Sequence, residues 1–291
     1  MTITAGPSPV GILQNRSLGL LGAGNMADAL VQGVLNAHAI PAGRIMASDV
    51  SAERLKYFSE KLGIKTTSEN RHVVSSSDLI VLCVKPQQVD EVLAHIAPVV
   101  EPDVHVVASI CAGIPSARIE NLLPAGTRVV RVMPNTPMLV GMGASCLCPG
   151  KNARDEDVAA VEALFATSSM TMRVEEKMMD AVTGLSGSGP AYLFYLVEAM
   201  VDAGIQEGFT REQATKLAAR TVLGSAKMLE ESNRDGNEFK LILPPEELRK
   251  RVTSPNGTTQ AAVERLDADG VKTKITAAVR RAVERSRELG K

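Results

Sequence analysis

The sequence has no tryptophan and only three tyrosines and five phenylalanines in 291 residues. Without aromatic platforms for stacking bases, single-strand nucleic-acid binding is a poor reading. An excess of either charge is also missing: 32 basic side chains face 33 acidic ones, so no bulk field draws the chain to nucleic acid or an anionic membrane. No membrane or nucleic-acid partner is expected. The longest uncharged run, Val132 to Gly150, is broken by Pro134, Pro137 and Pro149, so it forms no continuous spanning helix. Met1 to Gln14 carries no basic region ahead of an apolar stretch, and no secretory signal is expected. The four histidines, His38, His72, His95 and His105, are scattered and have no cysteine nearby at ligand spacing, so no metal is expected. Cys83, Cys111, Cys146 and Cys148 are read as reduced thiols of a cytoplasmic protein.

What is present is ordinary globular composition, 45% hydrophobic and 22% charged, in a length that suits two domains. The first half alternates short apolar runs with amphipathic stretches, the pattern of an α/β domain with a doubly wound parallel sheet. Strands are expected at Leu18 to Gly22, Arg44 to Asp49, Asp78 to Val84, Val104 to Ile110, Arg128 to Val132 and Ala144 to Cys148. Helices are expected at Met26 to His38, Ala52 to Leu62, Val89 to Ala97, Ser116 to Leu122 and Glu156 to Ala166. After about Glu175 the pattern is helical throughout. Thr210 and Gln213 form a capping box ahead of one helix, and Pro190 opens another. The resulting division is a tail over 1–14, a Rossmann domain over 15–175 and an all-α domain over 176–291.

Gly22-Ala23-Gly24-Asn25-Met26-Ala27 follows the first strand and opens a helix. In that setting it is the dinucleotide fingerprint: Gly22 for the turn, Gly24 for close approach of a pyrophosphate, Ala27 for helix packing against the strand. The second strand ends Ala47-Ser48-Asp49-Val50, where such domains read the adenosine ribose. An acidic Asp49 favours the 2′-hydroxyl of NADH over the 2′-phosphate of NADPH. Two alternatives stay open: Arg54 on the next helix can swing towards a phosphate, and Asp49 can merely cap that helix. Val84-Lys85-Pro86 and Cys111-Ala112-Gly113 end two further strands at the edge where ligands bind. Lys85 is either catalytic or a cofactor contact.

Five separated strings carry a more specific signal: Gly22 to Ala27, Val84 to Gln87, Arg131 to Pro137, Thr183 to Tyr192 and Val252 to Thr259. Over about Ser17 to Leu289 the chain resembles the pyrroline-5-carboxylate reductases, which make L-proline in the last step of its synthesis. The resemblance implies a Rossmann domain followed by a helical domain that interlocks with its copy, in dimers or rings of dimers, a decamer included. It also implies hydride transfer from NADPH or NADH to the C5 carbon of the cyclic imine, at a site where the Rossmann and helical domains meet. Val252, Ser254, Gly257, Thr258 and Thr259 would hold the substrate, with Thr259 hydrogen-bonded to the imine nitrogen. Gly22, Ala23, Gly24, Asn25, Met26, Ser48, Asp49, Asn70, Val84, Lys85, Pro86, Cys111 and Ala112 would line the cofactor site. Two departures stand out: Val50 where many members carry arginine, and Asn233 to Ile242, which looks like an inserted loop or longer helix end.

Read without the resemblance, the Pro255-Asn256-Gly257 turn leads into a helix whose first N–H groups suit a small carboxylate. The alternative is that Ser254 or Thr258 is simply an N-cap. Two competing functions are kept: a different two-domain reductase using Lys177 or Lys216, and a sensor that binds NAD(P)H without turnover.

Overall fold

Four-residue runs such as Leu79–Leu82 and Val106–Ser109 bury every side chain, which only a sheet covered on both faces can accommodate. The computed structural model, which describes residues 9–235, 238–240 and 242–290, builds that sheet from eight strands. They are β1 (Leu18–Leu21), β2 (Ile45–Ser48), β3 (Lys65–Thr67), β4 (Leu79–Leu82), β5 (Val106–Ser109), β6 (Arg128–Met133), β7 (Gly143–Pro149) and β8 (Ser169–Arg173). Their order is β3-β2-β1-β4-β5-β6-β7-β8. The first six, in the order 3-2-1-4-5-6, form the doubly wound Rossmann arrangement, with the chain reversing direction of travel between β1 and β4.

Helices α1 (Pro9–Leu13), α2 (Asn25–Asn36), α3 (Ala52–Lys61), α4 (Asn70–Ser75), α5 (Val89–Ile96), α6 (Ser116–Leu122) and α7 (Asp155–Ala166) flank the strands. One core gathers Leu20, Leu30, Phe58, Val81, Leu164 and Phe165; the other gathers Leu21, Val73, Ile80, Leu93, Ile96 and Ile119. The 1–14 segment, read as a tail, is tied down within its described part: Leu13 of α1 is fully buried in the first core. Residues 1–8 lie outside the described residues.

Two features depart from the all-parallel expectation. β7 runs antiparallel to β6, and β8 then pairs parallel with β7. The cause is the short link over 134–142: two prolines and Gly141 at φ 71° turn the chain back at once, and a parallel return needs a longer crossover. β3 and β8 were not expected from the sequence because, as edge strands, they carry half-exposed polar residues and lack an apolar run.

Beyond the sheet come α8 (Met179–Val182), a π-turn over Thr183–Gly187, α9 (Gly189–Gln206) and α10 (Arg211–Glu231). The chain then forms a small antiparallel ribbon of β9 (Arg234–Asp235) and β10 (Glu238–Phe239), followed by α11 (Pro245–Arg251), α12 (Thr258–Ala268) and α13 (Val271–Leu289). The stretch read as a loop or longer helix end is therefore a ribbon, with residues 236, 237 and 241 outside the described residues. Asn233, fully buried, closes its base: the side-chain amide donates to Leu229 O and Leu243 O and accepts from Ile242 N and Leu243 N.

The chain divides into two units, one running to Pro190 and taking in Arg280 onward, the other spanning Ala191–Val279. Residues 176–190 belong with the sheet because Glu176 and Asp180 pair with Arg131 of β6. In the second unit Thr210 and Gln213 form the capping box at the start of α10, as the sequence indicates. Its apolar interior is small, Val201, Ala214 and Ala218 with Val197 beside them, whereas Leu193, Phe194, Tyr195, Leu196, Leu217 and Leu223 are exposed. A helix with apolar residues on nearly all sides is normally covered.

Candidate cofactor and substrate sites

The point where strand order reverses leaves a crevice at the carboxyl ends of β1 and β4, and the glycine turn lies there. Gly22 has φ 102°, and a Cβ on it would come 2.9 Å from Cys83 O, so only glycine fits. Its N–H donates to Ser48 O at 2.8 Å. Gly24 differs: it sits in extended backbone at the N-cap of α2, and a Cβ there would meet nothing within 4 Å. The first helical bond runs from Asp28 N to Gly24 O, so the N–H groups of Asn25, Met26 and Ala27 precede the ladder and point out of the helix end. Ala27 is fully buried, as close packing of α2 on the strand requires.

Asp49 accepts from Ala23 N at 2.7 Å with one oxygen and from Ser51 N at 2.8 Å with the other. It does not cap α3; Ser51 does, accepting from Arg54 N. Arg54 does not swing outward either. Its Nε donates to Ala23 O at 2.6 Å, its guanidinium lies 5.0 Å from the Tyr57 ring centre, and Nη2 is 3.7 Å from the Asp28 carboxylate. Arg54 and Asp49 thus brace the glycine turn from below, a role not legible in the sequence. Ser48 donates to Asn70 Oδ1 at 2.6 Å, which brings Ser48, Asp49 and Asn70 to one edge of the crevice. Val50, where many members of the resembled family carry arginine, is almost wholly exposed.

The Cys111 thiol donates to Val84 O at 3.3 Å, joining the two remaining cofactor loops. Burial pushes this thiol up to about 11 and raises Cys83 as well, so both remain protonated and unreactive at neutral pH. Lys85 is exposed at the head of a 3₁₀ turn over Pro86–Gln88, and Ala112 follows Cys111 in its loop. Asn135 links two more of the strings: its amide donates to Ser186 Oγ at 3.2 Å and its oxygen accepts from Ala144 N. Gly187 lets the π-turn pass over the end of the Met133 side chain.

In the second unit, Val252 ends α11 and Ser254-Pro255-Asn256-Gly257 turns into α12. Asn256 takes φ 59°, a conformation asparagine tolerates, and Gly257 N bonds to Ser254 O at 3.1 Å. Gly257, which has no capping side chain, occupies the N-cap; neither Ser254 nor Thr258 does. The first helical bond is Ala261 N to Gly257 O, leaving the N–H groups of Thr258, Thr259 and Gln260 ahead of it. Thr258 and Ser254 are exposed and Thr259 is half-buried. The lysines of the competing reductase reading are surface groups in ion pairs, Lys177 with Glu175 and Lys216 with Glu212.

Residues 17–113 match the family described as NADP oxidoreductase, coenzyme F420-dependent, and residues 176–289 match pyrroline-5-carboxylate reductase dimerisation. A pyrroline-5-carboxylate reductase of Methanosarcina acetivorans is 43% identical over 279 residues, covering 96% of this chain and all of that protein. The chain belongs to the pyrroline-5-carboxylate reductase family. A second member, from Pseudomonas aeruginosa, is 40% identical over 94% of this chain and 96% of its own. A crystal structure of Plasmodium falciparum pyrroline carboxylate reductase, described with NADP bound, superposes with a TM-score of 0.84 at 30% identity, covering 96% of this chain and all of that one. Family membership assigns the chain to the NAD(P)-dependent oxidoreductases and accounts for the helical half. Among the described residues no helix is long and apolar enough to cross a membrane.

Proposed function

We infer that this protein reduces 1-pyrroline-5-carboxylate to L-proline with NAD(P)H, the final step of proline biosynthesis. The observation that carries the reading is identity of 43% with a reductase of that name over 96% of this chain and all of that protein. The glycine turn fits a dinucleotide: the space a Cβ at Gly24 would enter is open, and the N-terminal N–H groups of α2 suit phosphate oxygens. When bound, the reduced nicotinamide supplies the hydride that C5 of the imine accepts.

The chain's own part is binding and orientation, because a protonated imine is already electrophilic. Residues 15–175 hold the cofactor, through Gly22 to Met26, Ser48, Asp49, Asn70, Val84 to Pro86, Cys111 and Ala112. Residues 176–291 hold the substrate and form the dimer. The N–H groups at Gly257, Thr258 and Thr259 take the carboxylate, with Val252 and Ser254 beside them. The Thr259 hydroxyl accepts from the N–H of the protonated imine, a hydrogen bond that holds the nitrogen in place as hydride arrives. Asp49 favours NADH, since the carboxylate repels a 2′-phosphate and neither Val50 nor the engaged Arg54 offers a cation to it.

The minimum assembly is a homodimer built on α9 and α10, whose exposed Phe194, Tyr195 and Leu196 need cover of obligate size. A ring of dimers, a decamer among them, is the larger form. The location is cytoplasmic, in keeping with four free cysteines. Oxidation of NADH by the purified protein with pyrroline-5-carboxylate, and not with hydroxy or keto acids, is the expected result. Binding of NADH without turnover of any imine would overturn the reading.

A further inference from the structure

Four polar residues from three other parts of the chain gather around one buried arginine. Arg131, in the middle of β6 and 4% exposed, pairs with Glu176 at 2.7 Å and faces Asp180 at 3.7 Å. Glu176 accepts from Ser116 Oγ at 2.8 Å and from Ser116 N at 3.3 Å, at the first residue of α6. Asp180 accepts from Ser286 Oγ at 2.7 Å, near the end of α13. Ser116 closes one end of the 110–115 loop, and the other end of this chain of contacts returns to the same loop. Gly113 has φ 79°, and a Cβ there would come 2.6 Å from Ser286 O. A Cβ on Gly290 would collide with Gly113 O. The circuit is closed: loop, Ser116, Glu176, Arg131, Asp180, Ser286, loop.

An arginine inside a strand has to have its charge matched, and two carboxylates do that here. Matching the charge does not require that both carboxylates reach on to hydroxyls, nor that two backbones touch at paired glycines. Those further contacts all bear on the segment that carries Cys111 and Ala112. From the opposite side the Cys111 thiol fixes the same loop to Val84 O.

We propose that the Arg131, Glu176, Asp180 and Ser286 circuit is a positioning device that sets the Cys111–Gly113 loop for the reduced dinucleotide, with the end of α13 as its backstop. The proposal rests on the cofactor assignment given above. None of the four residues touches the cofactor; they act through the loop. The last helix of the chain thereby tunes dinucleotide binding at a loop more than 150 residues earlier in the sequence.

Two variants act on the loop by different means. Ser286→Ala removes the hydroxyl that ties α13 to Asp180, and Gly290→Val pushes a side chain onto Gly113 O without deleting a bond. Both positions lie at the end of the chain, away from the cores. NADH and NADPH dissociation constants, read from the cofactor's own fluorescence, are expected to rise about three- to tenfold in each variant, less than the full worth of a hydrogen bond to a charged group because the effect reaches the cofactor only through the loop. The KM for pyrroline-5-carboxylate should stay close to wild type, the melting temperature should fall by no more than about 5 °C, and Ser286→Thr should restore dinucleotide affinity. Unchanged dinucleotide affinity in both variants overturns the proposal, as does a loss that tracks melting temperature and is not restored by threonine. Wild-type protein that binds no NAD(P)H, or fails to reduce the imine, would count against the functional reading and not against the circuit alone.

Discussion

Gly22 and Gly24 stand two residues apart in one motif, yet the structure assigns them opposite consequences on substitution. At Gly22 a methyl group costs twice: about 1 to 2 kcal/mol for an L-residue held at φ 102°, and about 1 to 3 kcal/mol for crowding Cys83 O at 2.9 Å. The sum, roughly 2 to 5 kcal/mol, should lower the melting temperature of Gly22→Ala by roughly 5 to 15 °C. At Gly24 the backbone is extended and the methyl meets no protein atom, so the folded state loses only the preference of an N-cap for glycine over alanine, about 0.5 to 1 kcal/mol, offset by a less flexible unfolded chain. What Gly24→Ala disturbs is the space for a pyrophosphate, and a misfit of about 1.4 to 3 kcal/mol there weakens NAD(P)H binding roughly ten- to 150-fold. Thermal unfolding and fluorescence titration on the two variants separate the effects. Equal melting losses in both, with cofactor affinity intact in Gly24→Ala, would refute the assignment of this turn to a phosphate.

Thr259→Val keeps the shape at α12 and removes the hydroxyl; kcat/KM for the imine is expected to fall about ten- to 150-fold with NADH affinity unchanged, from the loss of about 1.5 to 3 kcal/mol in a bond to a charged centre. Unchanged turnover would remove Thr259 from the chemistry. Asp49→Ser should raise the kcat/KM ratio of NADPH to NADH, and because it also abandons Ala23 N and Ser51 N it should lower stability by about 1 to 3 kcal/mol; a wild-type ratio already tenfold in favour of NADPH would contradict it. Burial pushes Glu176 up, but its bonds from Arg131, Cys148 and Ser116 outweigh this and hold its carboxyl below the ordinary glutamate value. A group depressed in the folded state stabilises above its unfolded pKa of about 4.3, and that stabilisation is lost as pH falls through the lower folded value. Wild-type melting temperature should therefore drop more steeply below about pH 4.3 than that of Glu176→Gln, and parallel curves would be evidence against the pairing.

Local pattern was enough for most of the Rossmann half. Buried runs such as Leu79–Leu82 announce themselves because a covered strand has no reason to alternate, and Gly22 to Ala27 is legible because each small residue answers a backbone constraint set within a few residues. The same holds for the capping box at Thr210, a contact three residues long. The sequence also carried the family signature at Val252 to Thr259. Long-range geometry decided the rest. Edge strands β3 and β8 exist only because β2 and β7 offer them unpaired backbone groups, and β7 runs backwards because its link is too short for a crossover. Asp49, by sequence a ribose ligand or a helix cap, does not cap α3 and braces Ala23 N, 26 residues away; Arg54, free to swing by sequence, is held to the same turn. Arg131 reads in sequence as one of two arginines, with Arg128, in an otherwise apolar strand. Only the folded chain brings Glu176, Asp180 and Ser286 to it, because matching a buried charge depends on which groups share a volume, and the order of residues along the chain does not specify that.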